Sequence, residues 1–125
     1  MEQKICLDSD ICIEILKKNP FYERMFDKFH YSDVFISSIT VFELFLRNFN
    51  LFDVKRFIEY FKVLPFDDSC AIKGSEIMKD LKGRGKVVDF RDVFIASTCI
   101  VNDCSFLTLN TKHFENMKGL RLIEI

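Results

Sequence analysis

The chain has 125 residues, about half of them apolar and 15 of them Phe, with a formal net charge of −1. That content suits one three-layer domain spanning 1–125, is too short for two, and disfavours disorder. The near-zero charge argues against wrapping nucleic acid by bulk charge, and the lack of any apolar run approaching about eighteen residues excludes a membrane-spanning helix.

Lys4 to Leu7 reads as a short buried strand, ended by Asp8-Ser9-Asp10. Ile11, Ile13, Ile15 and Leu16 predict a helix running to Lys18, with Ser9 or Asp10 near its cap. Asn19-Pro20 restarts the chain as a second helix, with Phe21, Met25, Phe26 and Phe29 at helical spacing and an end near His30. Val34-Phe35-Ile36 predicts a second strand within 33–37. Ser37, Ser38 and Thr40 offer hydroxyl caps to a helix that turns Phe42, Phe45, Leu46 and Phe49 inward and places Glu43 in its first turn. A further helix puts Val54, Phe57, Ile58 and Phe61 on one face, and Val63-Leu64-Pro65-Phe66 reads as a third strand.

Asp67 or Asp68 then caps a helix with a stripe of Ala71, Ile72, Ser75, Met78 and Leu81. Gly83 and Gly85 close it, and Val87 and Val88 turn the chain inward. An apolar helix follows over 90–101, with Ala96 and Ser97 small enough for close packing beneath a sheet. Residues 106–109 predict a fourth strand, 111–114 a helical turn and 120–123 a last strand. Alternating strands and helices with crossovers of this length predict an α/β fold with parallel pairing.

Such sheets gather their ligand-binding loops beyond the carboxyl ends of the strands. Asp8, the Thr40/Glu43 turn and Asn110 fall at such ends, and Asp92 joins them from the start of its helix. A carboxylate beside an apolar run is unfavourable unless it caps a helix or faces a cation. Three separated acids so placed, Asp8, Glu43 and Asp92, point to one shared metal site. Mg²⁺ and Mn²⁺ suit it, because hard ions take oxygen ligands and retain waters. An ion held there lowers the pKa of a water and aligns it with a phosphodiester, so the expected chemistry is phosphodiester hydrolysis. Ser9, Asp10, Asp89, Thr108 and Asn110 are the supporting candidates, able to orient a ligand or a metal-bound water.

Plainer readings stand beside these. Thr40-x-x-Glu43 matches a capping box, Asp8 and Asp10 suit an ordinary turn, and Asp92 suits the positive end of a helix dipole. His113 either faces substrate or, as the favoured reading, covers the sheet. Lys17, Lys18, Lys82, Arg84, Lys86, Arg91 and Lys112 either screen RNA phosphates or form a solvated face, and Phe42, Phe45, Phe49, Phe57 and Phe61 read as core or dimer surface. The five Cys form no CxxC pair and read as reduced core thiols of an intracellular, cytoplasmic protein; with only His30 and His113 there is no zinc pattern. The opening MEQK lacks the apolar core of a signal peptide.

Four segments, CLDSDICIEIL, ISSITVFEL, DFRDVFIAS and LTLNTKHFENMKGLRLIEI, resemble in order and spacing the motifs of the PIN-domain family, specifically its VapC-like toxin ribonucleases of prokaryotic toxin–antitoxin modules. The resemblance spans nearly the whole chain. It carries the metal-binding acids onto Asp8, Glu43 and Asp92 and a hydroxyl role onto Ser9, with Asn110 assisting. It implies an α/β/α sandwich around a mainly parallel sheet of order 3-2-1-4-5 and a Mg²⁺- or Mn²⁺-dependent endoribonuclease. It also implies a homodimer and a VapB-like antitoxin whose C-terminal segment blocks the groove, often through an Arg or Lys reaching the acids. Two positions depart from the pattern: Asp10 stands where many members have Asn, and Asn110 where part of the family has a fourth acid, for which Asp89 or Asp103 are candidate substitutes. The alternatives are a non-catalytic PIN-like RNA-binding or assembly protein and a structure-specific DNA nuclease on a related fold. Dinucleotide-binding and P-loop functions are disfavoured, because neither a G-x-G-x-x-G after the first strand nor a Walker A motif is present.

Overall fold

Apolar residues alternate sides along each short strand, and this alternation divides the core into two. The computed structural model describes residues 3–29 and 33–124. Its strands are β1 (Lys4–Leu7), β2 (Asp33–Ser37), β3 (Lys62–Leu64) and β4 (Ser105–Leu107), all parallel in the order β3-β2-β1-β4. Cys6, Phe35 and Phe106 point to one face, while Ile5, Leu7, Ile36 and Leu107 point to the other. Helices α1 (Ser9–Leu16), α2 (Pro20–Asp27), α3 (Ser38–Leu46) and α4 (Leu51–Ile58) supply residues to the second face. Helices α5 (Asp68–Gly83), α6 (Phe90–Val101) and α7 (Thr111–Phe114) cover the first. The result is the expected three-layer α/β/α sandwich.

The last predicted strand is reduced to a single parallel bridge between Phe106 and Leu122. Phe106 donates its N–H to Arg121 at 2.8 Å, and its carbonyl accepts from Ile123 at 2.9 Å, the two backbone bonds that hold the fifth position beside β4 among the described residues. Strand β4 also starts and stops earlier than 106–109, leaving Thr108 and Leu109 in the turn. The predicted end of the second helix at His30 lies outside the described residues; α2 itself ends at Asp27.

Two helical stripes are rotated from the expected ones. In α3 the buried residues are Thr40 and Leu44, while Phe42 and Leu46 are more than half exposed. The cause is the cap: Ser37, not Thr40, accepts the N–H that starts the helix, at 3.1 Å, so Glu43 lies in the second turn and the capping box does not form. In α5 the inward residues are Cys70, Gly74, Ile77 and Leu81, whereas Ala71, Ile72 and Ser75 are exposed. The small residues decide this, since a methyl placed on Gly74 would already touch Ser97 Oγ at 3.5 Å on α6. Helix α5 closes in a Schellman motif: Gly85, at φ +70°, and Lys86 donate to Lys82 and Leu81 at 3.1 and 2.8 Å. Val88 then packs on the core, but Val87 does not turn inward and is 99% exposed. All five cysteines are free and buried.

Candidate active site

The carboxyl ends of β1 and β4 meet where Asp8 donates its N–H to Leu107 at 2.9 Å. Asp8, rather than Ser9 or Asp10, is the N-cap of α1. Its Oδ1 accepts the Ser9 N–H at 2.8 Å and its Oδ2 accepts the Thr108 hydroxyl at 2.7 Å. The side chain is buried, and burial together with the neighbouring Asp10 carboxylate pushes its pKa up to about 7 against those two hydrogen bonds.

Asp10 bridges two turns. Its Oδ1 accepts the Ile11 N–H at 2.7 Å, and its Oδ2 accepts the Leu109 N–H at 3.0 Å and the Asn110 amide at 3.2 Å. Asn110 therefore faces Asp10. It is the N-cap residue of α7 without making a side-chain cap bond. Burial raises the pKa of Asp10, opposed by the Leu109 and Ile11 N–H groups and the Thr108 hydroxyl.

Glu43 reaches the mouth from the second turn of α3. Its Oε1 is buried with no hydrogen-bond partner among the described residues. Burial raises its pKa, the nearby Ser9 hydroxyl and Arg91 lower it, and Asp92 and Asp89 raise it again. Arg91 stands between acids, 3.8 Å from Glu43 and 3.5 Å from Asp89. Asp89 caps α6 by accepting the Arg91 N–H at 2.8 Å, which, with that guanidinium, holds its carboxyl below the usual range. Asp92, in the first turn of α6, is raised chiefly by burial and lowered by His113, whose Nδ1 is 3.4 Å from Asp92 Oδ2.

Of the expected acids, Asp8 and Glu43 feel each other electrostatically, as do Glu43 and Asp92. Among the described residues, no three His, Cys, Asp or Glu side chains stand at the spacing of a closed ion-ligand set. The donors nonetheless suit a hard divalent cation: they are carboxylate oxygens, they are buried at a cost to ionisation, and one is an orphan. Asp103 takes no part. It precedes β4, at the other end of the sheet, and pairs with Arg121 at 3.0 Å. His113 lines a pocket of about 230 Å³ with Lys86, Lys112, Asp89 and Asp92. Arg91 and His113 stand beside the acids although the sequence marked Arg91 only as one of several basic residues and His113 chiefly as a cover over the sheet.

A parallel three-layer sandwich with acids gathered at its strand ends defines a class of α/β protein with a carboxylate-lined mouth. The chain belongs to the PIN-domain family, which it matches over residues 5–120. It is 32% identical to Ribonuclease VapC1 of Methanocaldococcus jannaschii, over 98% of this chain and 89% of that protein. It is 31% identical to the tRNA(fMet)-specific endonuclease VapC of Salmonella typhimurium, over 95% and 96%. The crystal structure of DNA-bound VapBC from Salmonella typhimurium superposes with a TM-score of 0.86 at 30% identity, covering 97% of each chain. Within the family, the chain is thus of the VapC-like toxin–antitoxin ribonuclease type. No helix among the described residues is long and apolar enough to cross a membrane.

Proposed function

We propose that this chain, as one PIN-like domain over 1–125, is a Mg²⁺- or Mn²⁺-dependent endoribonuclease, the toxin of a toxin–antitoxin pair. The observation that carries this is the buried, unpartnered Oε1 of Glu43 in a mouth whose other acids, Asp8 and Asp92, also resist ionisation. Such an arrangement is unfavourable without a cation and favourable with one.

Asp8, Glu43 and Asp92 hold the ion. When bound, the ion supplies an acidified water and offsets charge on the phosphodiester. The chain's own residues orient that chemistry. Ser9 and Thr108 fix the two oxygens of Asp8, so its carboxylate plane is set before substrate arrives. Asn110 assists through Asp10, and Asp89 restrains Arg91 beside Glu43. Lys86 and Lys112, on the rim beside His113, draw the RNA backbone toward the acids. The relatives solved as VapBC complexes support a VapB-like antitoxin as partner, and the exposed Phe42, Leu46 and Phe52 support a second copy of this chain.

The test is cleavage of structured RNAs and matched DNAs with Mg²⁺, Mn²⁺ or EDTA, beside Asp92→Asn. Metal-dependent RNA cutting that falls at least about a hundredfold in the folded variant is expected. Undiminished cutting by that variant would sink the assignment. RNA binding that persists without metal and survives loss of all three acids would instead mark a non-catalytic RNA-binding protein.

A further inference from the structure

We infer that Asp10 and Asn110 form an acid–amide clamp that reserves the Thr108 hydroxyl for Asp8, which makes them positioning residues of the site; this rests on the ribonuclease proposed above. The clamp joins the turn after β1 to the turn after β4, a hundred residues apart in the chain.

A hydroxyl carries one proton. The Thr108 hydroxyl lies 2.7 Å from Asp8 Oδ2 and 3.3 Å from Asp10 Oδ2, so two carboxylates compete for it. Asp10 does not need it, because the same Oδ2 already accepts from the Leu109 N–H and the Asn110 amide. Thr108 is turned further by accepting the Asn110 N–H at 3.1 Å, which occupies a lone pair and leaves its proton for Asp8. Residue 110 must therefore be a donor as long as residue 10 is an acid. A carboxylate at 110 would set two acids at hydrogen-bond distance, which repel whenever both are ionised, and would lose the amide donor that Asp10 now accepts. Exchanging the two residues restores one acid and one amide, with the bond between the turns reversed. The compensation for an amide at 110 is thus Asp10, and neither Asp89 nor Asp103 is needed for it. The exchanged pair is not a perfect copy, because the Leu109 N–H loses its acceptor when the amide of residue 10 turns toward 110.

The experiment compares the wild-type chain with D10N, N110D and the double exchange D10N/N110D. It reads kcat and KM for RNA well below every melting temperature, together with the dissociation constant for Mn²⁺ from the paramagnetic signal of the free ion. N110D is expected to lose between about tenfold and a hundredfold in kcat with KM little changed, because the acid and not the RNA surface is displaced. The double exchange is expected to recover most of that loss and to bind Mn²⁺ more tightly than N110D does. Losses in the double variant equal to the product of the single losses would overturn the clamp, since independent sites behave that way. A fall in melting temperature with kcat and Mn²⁺ affinity untouched would also overturn it, reducing the pair to a structural joint. Should N110D fail to fold, the double exchange must fold; its failure counts against the inference. If the wild-type chain cuts no RNA, the ribonuclease reading fails by itself, and coupling of the two positions in Mn²⁺ affinity still decides the clamp.

Discussion

At the scale of single residues, the buried carboxyl of Asp8 sets a pH-dependent cost on stability, which the proposed ion would offset. Its ordinary pKa of 3.8 is pushed up to about 7 in the folded chain. Below about pH 4 the carboxyl is protonated in both the folded and the unfolded chain, so its ionisation contributes no difference. As pH rises toward 7, the unfolded chain releases the proton and the folded chain keeps it, so native stability falls; above that range the penalty is complete. Asp8→Asn removes the charge and keeps a side chain of similar shape. The variant is expected to be more stable than the wild type by about 2–4 kcal/mol at pH 8, with the gain vanishing near pH 4. Thermal melts at the two pH values check this. Millimolar Mg²⁺ at pH 8 is expected to raise the wild-type melting temperature and leave that of Asp8→Asn unchanged. An equal shift in both would mean that the ion binds elsewhere.

At the scale of elements, the packing of α5 on α6 is governed by Gly74 facing Ser97 and Val93. Its Cβ would meet those neighbours at 3.5 and 3.7 Å, ordinary contact distances. Gly74→Ala should therefore raise stability by about 0.5–1 kcal/mol through helix propensity, while Gly74→Leu should destabilise by overpacking. Denaturant melts of the two variants distinguish them by sign. The same helix pair shows what the sequence could and could not reveal. The element order was readable because Gly83 and Gly85 terminate α5, Asn19-Pro20 opens α2, and the 90–101 run is continuous. The faces were not, because α3 is apolar nearly all round and α5 has a Cys and a Gly where a larger apolar residue would have marked the inside. A cap placed three residues earlier, at Ser37 instead of Thr40, leaves Glu43 without the backbone partner a capping box would give it. Asp8, Glu43 and Asp92 stood out as acids abutting apolar runs. Arg91 and His113 did not, since their nearness to the acids depends on how α3, α6 and α7 converge.

At the scale of the whole molecule, the misplaced stripe of α3 becomes evidence about assembly. Phe42, Leu46, Leu51 and Phe52 are between 55% and 65% exposed on two helices adjacent in the chain. Large apolar side chains grouped in this way mark a surface that another protein covers. On the function proposed above, the covering partner expected for the isolated chain is a second copy: Phe42 and Leu46 face solvent while Glu43 on the same helix has a buried carboxylate oxygen, so closing that face would leave Glu43 uncovered by it. Sedimentation of the purified chain should give a dimer at micromolar concentration. Leu46→Glu combined with Phe52→Glu should give a monomer with a melting temperature at pH 8 little changed in dilute solution, since neither side chain belongs to the two buried clusters. A wild-type chain that sediments as a monomer would assign this face to a different protein, and co-purification with an encoded antitoxin would then be the measurement that identifies it.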